Sequence, residues 1–215
     1  MVELPLFPLR TVLFPHMALR LRIFEKRYRT MMRDCEREGT TFGVVAIKEG
    51  AEVGGDAQPY PVGTLAHMRD VVRSPDGGYT LLVIGRSRFR IESLNRDRPY
   101  LVGAVHYLED SPAAPDDAAS LADKVRAAFR TYVVAQRDGD RSTAADIHLP
   151  MEPELLSYDV AASLGVETSE RQRLLEIDDT TERLHACMAL LRQETRLVVR
   201  TLAGKSERAG FFSLN

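Results

Sequence analysis

Few stretches of this chain hold residue types that could do chemistry. Gly204, Lys205 and Ser206 match the end of a phosphate-binding loop, whose lysine reaches the β- and γ-phosphates. The GxxxxGK spacing puts the first glycine of that loop at Val199, within the last turns of a predicted long helix instead of on a turn leaving a strand, so no nucleotide site is expected. GRSRF at 85–89 approaches the nucleophile elbow Gly-x-Ser-x-Gly, but Phe89 stands where the second glycine belongs, which makes Ser87 an ordinary strand residue. His16, His67, His106, His148 and His185 never occur as His-x-x-x-His or beside a cysteine pair, so no metal is expected. Asp116 with Asp117, and Asp178 with Asp179, lie at predicted helix starts, where carboxylates answer the helix dipole. No cofactor is called for, and the chain reads as a non-enzyme.

The elements follow from hydrophobic periodicity. Met17, Leu19, Leu21 and Ile23 alternate with Arg20 and Arg22, a half-buried strand with a basic outer face. Further strands are predicted at 42–48, 64–72, 79–85, 88–94 and 100–108, with SPDGG at 74–78 as hairpin turn. Tyr28, Met31, Met32 and Cys35 share one helical face, which Gly39 terminates. Beyond SPAAPDDAAS (111–120) helices take over. Leu121, Val125, Phe129 and Tyr132 mark one, and Pro153 starts another. Ser169 with Gln172, and Asp179 with Glu182, read as capping boxes for two more, the last carrying Leu184, Cys187, Met188 and Leu191. The expected organisation is α+β: a β-rich domain over 1–110, a helical domain over 111–203 and a flexible tail over 204–215 containing Phe211 and Phe212.

Bulk properties narrow the function. Of the 215 residues, 44% are hydrophobic and 28% charged, values of a folded domain and not of a disordered chain. Arg and Pro interrupt every early apolar run, so neither an export signal nor a membrane span is expected. Cys35 and Cys187 have no metal-like spacing and are too few for a disulfide framework, which suits the cytoplasm. A net charge of −2 argues against attraction of the whole molecule to nucleic acid.

Two surfaces could bind a partner. In the segment Leu4–Pro15, Pro5, Pro8 and Pro15 each lack a backbone donor, so an edge strand or extended arm is expected. Its Leu6, Phe7, Leu9, Leu13 and Phe14 either fold onto the β domain or line an apolar groove for an unfolded segment. Arg86, Arg88 and Arg90 share one face of a strand, either solvated or clamping carboxylates or phosphates. Glu25 and Arg27 bind a partner, start the helix or form an internal ion pair.

Taken in order, LPLFPLRTVLFP (4–15), LRIFEKRY (21–28), FGVV (42–45), VGTLA (62–66), DGG (76–78), GRSRFRI (85–91) and PYLVGAV (99–105) resemble the N-terminal substrate-binding domain of Lon proteases. The second half resembles it more loosely through LP (149–150), RQRLLE (171–176) and ERL (182–184). One departure is His16, where the family has glycine after the second Phe-Pro. The resemblance implies a PUA-like β pseudo-barrel with one helix, followed by an α-helical bundle. It also implies a stand-alone relative without the ATPase and protease domains. Its partners would be unfolded or client polypeptides, with a protease or chaperone as the recipient; RNA binding by a basic sheet face, through Arg20, Arg22, Arg86, Arg88 and Arg90, is the alternative.

Overall fold

The computed structural model describes residues 1–52, 57–111, 115–137 and 147–212, with side chains left undescribed at 115–117 and 203–212. The elements run β1 (Val2–Leu9), β2 (Ala18–Ile23), α1 (Lys26–Glu38), β3 (Phe42–Glu49), β4 (Gln58–Arg73), β5 (Tyr79–Asn95), β6 (Leu101–Leu108), α2 (Pro115–Gln136), α3 (Pro153–Ser163), α4 (Thr168–Glu176) and α5 (Thr180–Phe212). They form an α+β chain of two compact units. The first joins Met1–Ser111 to Val166–Asp178, and the second joins Pro112–Gly165 to Asp179–Asn215.

This partition differs from the consecutive split at 110 and 203. The break at Ser111 falls where the proline-rich boundary was read, but α4 packs on β3 and β4 of the first unit instead of joining the helices that flank it. Gln172 is the physical reason. It donates inward to the Val62 carbonyl at 3.0 Å and to Glu176 Oε1 at 2.8 Å, so it is a docking residue and not half of a capping box. Asp179 does cap α5, its Oδ1 accepting the Glu182 N–H at 2.8 Å. At the other end α5 runs through 204–212, where a tail was expected; residues 213–215, and the side chains of Phe211 and Phe212, lie outside the described residues.

The strand order is β2-β5-β4-β3-β1-β6, and β5 pairs again with β6, which closes the circuit β1-β3-β4-β5-β6. β5 makes this possible by being one strand of 17 residues, not the two short ones read from the sequence. Its first half pairs with β2 and its second half with β6, while β4 flanks both.

β1 corrects a second expectation, for it is an interior strand and not an edge or arm. It pairs antiparallel with β6 over Val2–Leu6 and parallel with β3 over Leu6–Leu9. The two ladders are offset, so Pro5 faces β6 alone and Pro8 faces β3 alone. Each proline therefore has one unpartnered flank, and their odd spacing turns the missing donors to opposite sides.

Inside the circuit Phe89 is fully buried among Leu4, Leu6, Val45, Leu101 and Val105. Gly43 and Gly63 make room for its ring: a Cβ on either would fall 2.5 and 2.7 Å from Phe89 Cζ. A second cluster joins β1, β2 and β5 to α1, whose buried face is Tyr28, Met31, Met32 and Cys35. That helix ends as expected, Gly39 taking φ 63 and donating to the Cys35 carbonyl. His16 also takes a left-handed φ of 65, held by its N–H to the Gly85 carbonyl at 2.9 Å, so the turn that suits glycine survives with histidine in place.

In the second unit α2, α3 and α5 pack together through Leu121, Val125, Phe129, Leu156, Val160, Leu184 and Leu191. Arg183 is fully buried there, 3.9 Å from the Tyr158 ring centroid and donating to Ser157 Oγ at 2.8 Å.

Gly63→Ala would set its methyl 2.6 Å from the Val44 carbonyl oxygen, a backbone atom that cannot rotate away. The expected loss is about 1–3 kcal/mol in urea unfolding; an unchanged midpoint would show that the circuit has slack at Phe89.

Candidate functional site

A chain that recognises other proteins needs either an unpaired strand edge or a concave apolar surface, and the first unit has both around β2. Alternation along β2 turns Leu21 and Ile23 into the core, with Leu19 half-buried, and leaves Arg20 and Arg22 exposed. One flank of the strand pairs with β5 over Ala18–Ile23; the other has no strand partner among the described residues. Beside it lies a groove of about 360 Å³, floored by Phe7, Leu9, Leu19, Leu21, Ile23 and Tyr28. Arg10, Thr11, Arg20, Arg22, Glu25 and Glu52 contribute its polar wall. Phe24 lines the groove too and is 58% exposed, an unusual state for a phenylalanine.

The floor is stiff. Phe7 meets the Tyr28 ring edge-on at 4.4 Å and Phe42 at 6.1 Å. Arg27 lies over the other side of Tyr28 at 4.4 Å, pairs with Glu25 at 3.1 Å and donates to the Glu52 carbonyl at 2.9 Å. Of the three readings of Glu25 and Arg27, two are in the coordinates: Glu25 stands at the N-cap of α1, and it forms the ion pair with Arg27. Burial pushes the Tyr28 hydroxyl up to about 12 and the Cys35 thiol up to about 11.

The sequence-derived candidates are distributed differently from expectation. Leu6, Leu13 and Phe14 are core residues with no exposed surface to offer, because β1 is interior and its following loop is packed from both sides. Phe7 and Leu9 are buried as well, but both reach the groove floor. The arginine row does not exist as a row. Arg86 is exposed and Arg90 half-buried, while Arg88 between them is 1% exposed. Its guanidinium donates to the Leu175 and Ile177 carbonyls at 2.9 and 3.1 Å, and pairs with Asp110 at 2.9 Å and Asp178 at 3.0 Å. A cation at the C-terminal end of α4 also suits the helix dipole. Arg88 is thus a clasp holding 175–178 to β5 and is withdrawn as a binding residue, which removes the middle of any basic face for nucleic acid.

Phe24 is the residue that sequence reasoning missed. A signal was available: it follows Arg20 and Arg22 on the polar parity of β2, where an aromatic ring has no core to enter. Among the described residues no group of three or more His, Cys, Asp or Glu could hold a metal ion, and no helix is long and apolar enough to cross a membrane.

Comparison with known proteins agrees with this architecture. The model of the ATP-dependent protease La (LON) substrate-binding domain matches residues 3–193. The chain belongs to that family. A solved Lon N-terminal domain protein from Xanthomonas campestris is 30% identical, with a TM-score of 0.65, over 88% of this chain and 98% of that one. The N-terminal domain of a Mycobacterium avium complex Lon protease, 17% identical with a TM-score of 0.67, shares the fold. Lon proteases of Escherichia coli K12 and Brevibacillus choshinensis are 25% and 26% identical over 92% and 91% of the chain. The chain spans about a quarter of the length of these curated relatives.

Two measurements check this description of the Lon-family domain. Arg88→Met removes the buried guanidinium from Asp110, Asp178 and two carbonyls and should cost about 3–5 kcal/mol, read by thermal or urea unfolding; a loss under about 1 kcal/mol would mean that the clasp is dispensable. The raised Tyr28 and Cys35 values, from ordinary values of 10.0 and 9.0, favour their neutral forms in the folded state. Their contribution to stability is full below pH 9 and is lost as pH rises from about 9 to about 12. A urea midpoint that stays flat across that window would contradict the burial of both groups.

Proposed function

We propose that this chain binds extended, unfolded segments of client polypeptides along β2 and the groove beside it, without catalysing a reaction on them. The observation that carries the reading is the coincidence of a free strand edge with an apolar groove that ends in the exposed ring of Phe24. A strand added to the β2 edge would satisfy its own backbone by hydrogen bonds irrespective of sequence. Alternate side chains would enter the groove, which supplies a coarse preference for apolar residues. Folded proteins hide both their backbone and their apolar side chains, so discrimination against them needs no further device.

Membership of a substrate-binding family supports the same reading, as does the rigidity of the floor, which spares the bound segment an ordering cost on the protein side. The closed strand circuit is in keeping with a PUA-like pseudo-barrel, and a cytoplasmic setting with a protease or chaperone as recipient of the client fits a domain of this kind. RNA binding draws no support from the arrangement of arginines, since Arg88 is spent on the clasp.

The test compares the native and the reduced, carbamidomethylated forms of one small disulfide protein for binding to the full chain by fluorescence anisotropy. Binding of the unfolded form alone is expected, weakened about tenfold by Phe24→Ala, the effect of removing one aromatic anchor of about 1–2 kcal/mol. Equal binding of the two forms, or indifference to Phe24→Ala with the fold intact, would refute the assignment.

A further inference from the structure

Next to the β2 groove is a second, larger cleft of about 640 Å³ with the opposite chemistry. Lys26, Arg27, Arg96 and Arg98 line it, together with Tyr28 and Tyr100, and among the described residues Glu25 is its one carboxylate. Glu25 is already matched by Arg27. The other three cations have no carboxylate partner among the described residues: Arg96 reaches only the Ala57 carbonyl at 3.4 Å, Arg98 donates to the Tyr100 hydroxyl at 2.8 Å, and Lys26 is exposed without a side-chain bond. The Tyr100 hydroxyl in turn donates a hydrogen bond to Asp34 at 2.9 Å, so the Arg98 head is held in place by a fixed network instead of sweeping solvent.

The start of α1 adds to this field. Glu25 at the N-cap makes no side-chain cap bond and is paired with Arg27, and no further acidic residue stands in the first turn. A concave wall on which Lys26 and Arg96 face no carboxylate among the described residues, and Arg98 is offset only at longer range by Asp34 and Glu38, attracts negative charge more strongly than the same charges on a flat surface. Both clefts are lined by Glu25 and Tyr28, which makes them neighbours on the same unit.

We infer that the basic cleft gives this domain a preference for client segments in which acidic residues flank the apolar stretch, Asp and Glu side chains being held by Lys26, Arg96 and Arg98. The inference rests on the proposed binding of polypeptide in the β2 groove and names its substrate class. Exposed pairs of this kind are individually weak, so the cleft acts as a selector among apolar segments and not as an anchor by itself. Its contribution declines with salt, whereas that of the groove does not.

Three labelled peptides with one shared Leu- and Phe-containing core, flanked by Glu, Gln or Lys triplets, test this by anisotropy against the full chain. At low salt the Glu-flanked peptide should bind roughly 5-fold tighter than the Gln-flanked one, with the Lys-flanked one weakest. The double substitution Arg96→Ala, Arg98→Ala should bring the Glu peptide to within about twofold of the Gln peptide, the scale of a removed exposed ion pair. Lys26→Glu, at an exposed position without side-chain bonds, should narrow the same gap by an independent route. Equal affinity for the Glu and Gln peptides overturns the inference while leaving the groove reading intact, as does an acidic preference that survives both variants. Failure of all three peptides to bind overturns the groove reading and the inference with it.

Discussion

The architecture depends on one strand having to serve three neighbours. β5 closes the circuit only because its 17 residues pair with β2 at one end and β6 at the other, with β4 alongside from Tyr79 to Arg90. At the crossover its two faces are both buried, which a strand on the surface of a half-buried sheet does not require. Phe89 fills the inside, and neighbouring Arg88 points to the opposite side, where the segment 175–178 covers it. A buried guanidinium is costly unless its donors and its charge are matched, and here two carbonyls and two carboxylates match its two terminal nitrogens, leaving Nε buried without a partner.

That clasp explains why the first unit is discontinuous in sequence. Val166–Asp178 is drawn back to the strands by Arg88, by Gln172 on the Val62 carbonyl and by Thr168 on the Arg10 carbonyl. The clasp also leaves β2 uncovered, since its contacts fall on β3, β4, β5 and the loop after β1. The proposed recognition surface and the structural reinforcement therefore occupy different strands. This separation lets Phe24 stay exposed without a penalty elsewhere in the fold, and it places the groove on a floor of interlocked rings, Phe7, Tyr28 and Phe42.

Local pattern was a good guide wherever one element decided the outcome. The α1 face, its Gly39 terminus, the SPDGG turn and the alternation of β2 all follow from spacing alone, and each recurs in the coordinates. Proline in β1 misled because its cost depends on whether a partner strand stands opposite the missing donor, and the offset ladders of β3 and β6 remove that cost. The capping box at Ser169 failed for a related reason: a glutamine that can cap its own helix can equally donate to a neighbouring strand.

The sequence by itself determined the kind of each element, the face of α1 that would be buried and the succession of motifs that belongs to the Lon substrate-binding family. Only the tertiary structure decided which of those faces would be covered. Alternation tells which side of β5 Arg88 occupies, but whether that side meets water or two carboxylates depends on chain 87 residues away. The same holds for the proposed binding surface. Phe7 and Leu9 were legible as apolar, whereas their place on a groove floor, and the exposure of Phe24 beside it, arise from how β1, β2 and α1 pack, a non-local outcome that residue periodicity does not encode.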